Sequence, residues 1–248
     1  MRFAHETWHW RSLLWWLAVF AVVVQVKHHY SIATAADLEW MLRPLSQFLE
    51  WFTGYHFHSD DRSEWVSEAA DVRLVKACAG INFMLMSFMT YAWIVRPDRR
   101  PGMPPRSLFA GQLLLLCVAM IAAWTSALLA NSLRIMVAMS VESHGWGLDA
   151  IGLGAAELHR LIGMAIYLPL LSLQMMLGNR STGRDAVAAP LLLYLLLTVL
   201  VPLLTGNALQ RPTLFIEHLM SLSAIMALMC GIYFLCPHGV SNTKSLHH

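Results

Sequence analysis

The sequence predicts an all-α membrane protein: a bundle of about six spanning helices plus one interfacial or re-entrant amphipathic helix. Three observations carry this. Of the 248 residues, 57% are hydrophobic and only 13% charged, about half the charge of a soluble domain. Long apolar runs recur along the chain, and the mean hydropathy is +0.54. The basic residues that orient such runs gather in short links between them. The whole chain, 1–248, reads as one integral-membrane domain.

The apolar segments in order are Ser12–Val26, a mixed stretch Leu38–Phe57, Ile81–Val95, Leu108–Ala130, Leu161–Leu177, Ala188–Leu204 and Leu214–Cys236. The first is followed by Lys27-His28-His29 rather than by a small-residue cleavage site, so it reads as a retained anchor. The mixed stretch is unlike the others. It holds Glu39, Arg43 and Glu50, with Asp37 just before it, and charges are expensive in hydrocarbon. Its apolar residues Leu38, Met41, Leu42, Leu45, Phe48, Leu49 and Phe52 recur at helical spacing. The expectation is a helix lying in the interface or dipping into the bundle.

Arg2 and Arg11 precede the first span, a proline-stiffened basic loop runs from Arg96 to Arg106, and Arg180 and Arg184 mark another link. The positive-inside rule puts all three in the cytoplasm. They agree with one another only if Leu38–Phe57 does not cross. Both termini are then cytoplasmic, and the outer face of an inner membrane receives Lys27–Gly80, about Asn131–Arg160, and Gly206–Pro212. Nearly all titratable groups outside the basic loops fall on that outer side. A nucleic-acid partner would require a broad basic face, and the chain offers only short basic loops at a net charge of +2.

Of four cysteines, Cys117, Cys230 and Cys236 lie within spans and read as small hydrophobes. Cys78, in Lys76-Ala77-Cys78-Ala79-Gly80, stands alone at the outer boundary, without a disulfide partner on that side. Asn131-Ser132-Leu133-Arg134 is expected to close the Leu108–Ala130 span, with Asn131 and Arg134 on one helical face. His159 heads the Leu161–Leu177 span, and His144 lies on the same side. Cys78, Arg134 and His159 thus stand at similar depth. A thiolate is the nucleophile, and a neighbouring cation favours it. Histidine can carry its proton to a leaving amine, and arginine holds developing negative charge without losing its own proton. The trio has the parts of an acyl-transfer site.

These residues resemble the exosortase/archaeosortase family. The likeness rests on Ala77-Cys78-Ala79-Gly80 heading a span, Asn131-x-x-Arg134 ending the next, and His159 heading the one after. The Cys78–Phe83 run and the Phe52-Thr53-Gly54 turn look most like the exosortase K branch. The likeness covers about Leu38 to Leu177. Ala79 departs from it, since many members have serine there. The resemblance implies a membrane-embedded cysteine transpeptidase or protease of a bacterial inner membrane. Cys78 would be the nucleophile, His159 the base and acid, Arg134 the charge stabiliser and Asn131 a supporting hydrogen-bonding residue. Its partners would be membrane lipids and exported proteins with a C-terminal motif, a hydrophobic helix and a basic cluster. No cofactor or metal is implied.

Rival classes fit less well. There are 12 histidines, yet no HExxH or Cys-x-x-Cys spacing appears, and His56-x-His58 with Asp60 and Asp61 is a loose ligand set. A transport or assembly protein would use the polar outer face for gating or docking. Transporters, however, place charged, broken helices at mid-membrane, and the long spans here are nearly free of charge. No Gly-x-Ser-x-Gly occurs.

Overall fold

The computed structural model describes residues 2–96, 108–143 and 155–179, with single residues between 192 and 227. The expectations for the basic loop beyond Arg96, His144, Arg180, Arg184, Cys230, Cys236 and the last two apolar segments lie outside the described residues.

In chain order the elements are α1 (Arg2–Ile32), a 3-10 turn (Ala36–Leu38), α2 (Glu39–Thr53), β1 (His58–Ser59), β2 (Trp65–Ser67), β3 (Val72–Leu74), a second 3-10 turn (Lys76–Ala79), α3 (Ile81–Val95), α4 (Leu108–Ser143) and α5 (Ala155–Asn179). The fold is predominantly helical. Among the described residues four stretches are long and apolar enough to cross a membrane: Ser12–Ile32, Lys76–Val95, Ala110–Ser143 and Leu158–Gly178.

α3 is the centre of the bundle. It packs against α1, α4 and α5, and its buried residues Phe83, Met84, Leu85, Met86, Ser87 and Phe88 follow one another without a break, as in a helix enclosed on all sides. On α4 the small residues Ala119, Ala123, Ala127 and Ala130 are buried. At this spacing they form one face, and their size lets the α3 backbone come close. Two hydrogen bonds tie the polar side chains inside the bundle: Tyr91 to Ser126 at 2.8 Å, and Gln174 Nε2 to Ser87 Oγ at 3.2 Å. α1 is peripheral. It turns the stripe Trp15, Val19 and Val23 inward and leaves Leu13, Leu14, Leu17, Phe20 and Val24 exposed. From the C-terminal part, Leu222 is buried in the core and Leu195 and Val199 pack against it.

α2 is amphipathic and stops where Gly54 takes the left-handed conformation, φ 74°, with its N–H returned to Glu50 O. Its buried face is Met41, Leu42, Leu45, Ser46 and Leu49, continuous with Leu38 and set against α4. Phe52, expected on that face, is 55% exposed and Phe48 only partly buried. These two rings turn away to stack with Trp51 as an aromatic cluster, with centroids 4.7–6.2 Å apart.

Two features differ from the sequence expectation. The polar stretch after α2 is no simple loop but an antiparallel sheet of order β1-β2-β3, so the described chain is not purely helical. Strands of two or three residues are too short to display a period of two. The second difference is that the helix expected to end near Ala130 runs on to Ser143. Asn131 and Arg134 therefore lie inside α4 rather than at its close. The polar residues that suggested an end are absorbed by neighbouring elements, as the site geometry shows.

Candidate functional site

The second 3-10 turn sets the backbone around Cys78. The Cys78 N–H donates to Val75 O at 2.7 Å, and Gly80 then takes φ 68° to redirect the chain into α3. Only glycine adopts this conformation at little cost. Space demands glycine as well, since a Cβ on residue 80 would stand 3.2 Å from Asn131 Cγ. Cys78 is a free thiol, 9% exposed.

Asn131 on α4 is 1% exposed. Its Nδ2 donates to the Cys78 carbonyl, so a side chain from the next span fixes the cysteine turn. Its Oδ1 in turn accepts from the Tyr167 hydroxyl of α5 at 2.9 Å. The Tyr167 ring packs on Phe83, centroids 4.6 Å apart, and has the Arg134 guanidinium 5.7 Å from its centroid, within cation–π range. One tyrosine thus touches both members of the Asn131-x-x-Arg134 pair.

Arg134 is bound incompletely. Its Nε and Nη2 are buried, with no hydrogen-bond acceptor among the described residues. Room for the guanidinium comes from Gly163 on α5, where a Cβ would come 3.4 Å from Arg134 Cδ. His159, one turn before Gly163, is partly buried and within electrostatic range of Arg134. Cys78 and Arg134 each lie within electrostatic range of both Tyr30 and Tyr167.

The end of α1 closes the cluster. Lys76 Nζ donates to Ala33 O at 2.6 Å and Ser31 O at 3.3 Å, supplying donors to carbonyls that a helix end leaves unsatisfied. The same ammonium stands 5.0 Å from the Tyr30 ring. Lys27 reaches Asn82 Oδ1 at 2.5 Å. Two lysines therefore fasten α1 to the chain on either side of Cys78.

The sequence-predicted residues all fall at one end of the bundle. Cys78 and Asn131 are joined directly, and Arg134 lies near His159. Among the described residues no hydrogen bond links His159 to Cys78. His56 and His58 are exposed on and beside β1, and among the described residues no three His, Cys, Asp or Glu side chains gather as a metal-binding group. Sequence reasoning missed Tyr30, Gly163 and Tyr167. A tyrosine inside an apolar run looks like core. The available signal is spacing: His159, Gly163 and Tyr167 succeed one another at four-residue intervals, a polar-small-polar stripe on one helical face.

No family model matches the chain, and no match appears among curated proteins or solved structures.

Proposed function

We propose that the chain is a membrane-embedded cysteine protease or transpeptidase of the exosortase type, working at the periplasmic face of a bacterial inner membrane. Its substrates are exported proteins bearing a C-terminal recognition motif, a hydrophobic helix and a basic cluster. What supports this reading most is the Arg134 guanidinium, which is seated on Tyr167, the residue that bonds the Asn131 holding the Cys78 turn, and which has two buried N–H groups lacking an acceptor among the described residues. An unsatisfied buried donor costs about 1–3 kcal/mol, more when charged. An oxyanion or thiolate arriving there offsets that cost, so the site binds negative charge that develops during reaction better than a neutral ground state.

In this mechanism Cys78 gives its proton to His159, and its Sγ attacks the carbonyl carbon of the scissile peptide. The C–S bond forms while Arg134 holds the oxyanion. The C–N bond then breaks, and His159 returns the proton to the leaving amine. Water, an amine or a lipid headgroup opens the thioester and regenerates the thiol. No metal or cofactor takes part.

The topology that goes with this function has six spans and both termini in the cytoplasm. The crossings are α1, α3, α4, α5 and the segments Ala188–Leu204 and Leu214–Cys236, with α2 lying at the interface. An apolar groove of about 530 Å³ between α1, α2, α3 and α4, lined by Val26, Met84, Met120, Ile121 and Trp124 among others, supports lateral access for a hydrophobic substrate helix.

Co-expression with a reporter carrying such a tail tests the proposal. Processing is expected in the wild type and absent in Cys78→Ala, with equal accumulation of both chains in the membrane. Normal processing by Cys78→Ala would overturn the cysteine mechanism.

A further inference from the structure

The bond from Tyr167 to Asn131 and the seat it gives Arg134 have no place in the acyl-transfer steps, and they connect the two halves of the site. We infer that Tyr167 is a positioning residue: its hydroxyl orients Asn131 onto the Cys78 carbonyl, and its ring fixes the guanidinium of Arg134. The inference rests on the proposed cysteine chemistry for its functional meaning, though not for its geometry.

An asparagine amide is symmetric in shape and chooses its orientation by its partners. With Tyr167 donating to Oδ1 at 2.9 Å, Nδ2 is the group left to face the Cys78 carbonyl. Without that hydroxyl the amide can turn, and the turn carrying the thiol loses its anchor from α4. Cys78 is two residues before Gly80, whose φ of 68° already fixes the chain on the other side. The thiol is therefore held from both directions. The second half of the device is the ring. The ring packs against Phe83, which is 1% exposed, so its position is held by the core and Arg134 rests on a supported surface. Reach adds to this. Asn131 and Arg134 lie three residues apart on α4, so one side chain from a neighbouring helix can serve both.

Tyr167→Phe removes the hydroxyl and keeps the ring, whereas Tyr167→Ala removes both. With the reporter substrate, Tyr167→Phe is expected to lower kcat about tenfold at unchanged KM, the signature of losing an interaction used in the transition state. Tyr167→Ala is expected to fall further. Because Tyr167 acts through Asn131, the double variant Tyr167→Phe/Asn131→Ala should be no slower than Asn131→Ala alone. Multiplying effects, or a wild-type kcat in Tyr167→Phe, would overturn the inference.

A second measurement needs no substrate. In a full-length chain whose only cysteine is Cys78, alkylation by a small maleimide in native membranes should speed up severalfold in Tyr167→Phe as the turn loosens. Asn131→Ala and the double variant should match that rate. Alkylation of Tyr167→Phe at the wild-type rate overturns the positioning role. If the wild type processes no reporter yet the alkylation rates couple as stated, it is the function proposal that fails and the positioning role that stands.

Discussion

Two arginines, one on the small sheet and one on α4, make an instructive pair. Arg73, on β3, is paired twice: its Nη1 stands 2.9 Å from Asp60 Oδ2 and 2.9 Å from Glu64 Oε2, and its side chain is 49% exposed. The small sheet wraps itself around that ion pair. Asp60 Oδ1 takes the backbone N–H groups of Arg62 and Glu64, both at 2.9 Å, closing the turn between β1 and β2. Arg134, on α4, has no such carboxylates among the described residues and keeps two N–H groups buried without an acceptor there. The first arginine holds structure together in water, where an ion pair contributes little. The second sits where an unpaired charge is expensive. On the proposed function, that is the place where developing negative charge is received.

The contrast can be broken most directly at Arg134. Arg134→Met should lower reporter processing by more than about 100-fold, the scale of losing a principal charge stabiliser. Its thermal midpoint in detergent should hold or rise, because an unpaired buried cation is gone. Arg134→Lys should not restore processing, since a point charge does not replace the planar fork. A drop in melting temperature alongside lost activity would make Arg134 as structural as Arg73.

Next in size is Gly80→Ala. Forcing a side chain into the left-handed region costs about 1–2 kcal/mol, and the new methyl crowds Asn131. The melt should fall and processing should fall with it. Gly54 is the matched control: it has φ 74° but nothing within 4 Å of a Cβ, so Gly54→Ala should lower the melt and leave processing intact.

Acid should act on the sheet and not through Arg73. The Asp60 carboxyl is held below its ordinary value, first by the backbone N–H of Glu64, then by that of Arg62 and by the Arg73 charge. A depressed folded-state value contributes stability that is present above the ordinary carboxylate range and lost as pH falls through the depressed value. Pepsin cleavage between Phe57 and Leu74 should therefore rise steeply only below that range. Cleavage that rises already between pH 7 and 5 would point to another group. The smallest effect is expected from Arg73→Met: a slight loss of melting temperature and unchanged processing. Abolished processing there would erase the distinction between the two arginines.

Much of this arrangement was legible in advance, and the exceptions have physical causes. α3 begins and ends at the residues its apolar run indicated, Ile81 and Val95, because a proline-rich link and a left-handed glycine bound it. α2 was recognisable by period, but Phe48 and Phe52 lie outside its buried face, where they gather with Trp51 in the aromatic cluster. The continuation of α4 was hidden because Asn131 and Ser132 look like helix-ending residues, whereas both are buried in contact with other elements. The strands were hidden because side-chain bonds around Asp60 shape them, not hydrophobic alternation. Within the site, Cys78, Arg134 and His159 were visible as reactive types at one depth. Tyr167 was not, since its role depends on α5 facing Asn131, a relation that no local pattern encodes.

The length of α4 has a further consequence for the fate of any acyl group at Cys78. Its 36 residues measure about 54 Å, against about 30 Å of hydrocarbon. A helix that enters the acyl layer at Leu108 carries Arg134 about 39 Å along its axis, clear of the lipid tails and among the headgroups. On the proposed chemistry, an acyl group on Cys78 would then be formed at the level of the headgroups, where water and polar lipid groups are both at hand. Water would compete there with any amine or lipid for the proposed thioester, and transfer would require an acceptor docked when the first product leaves.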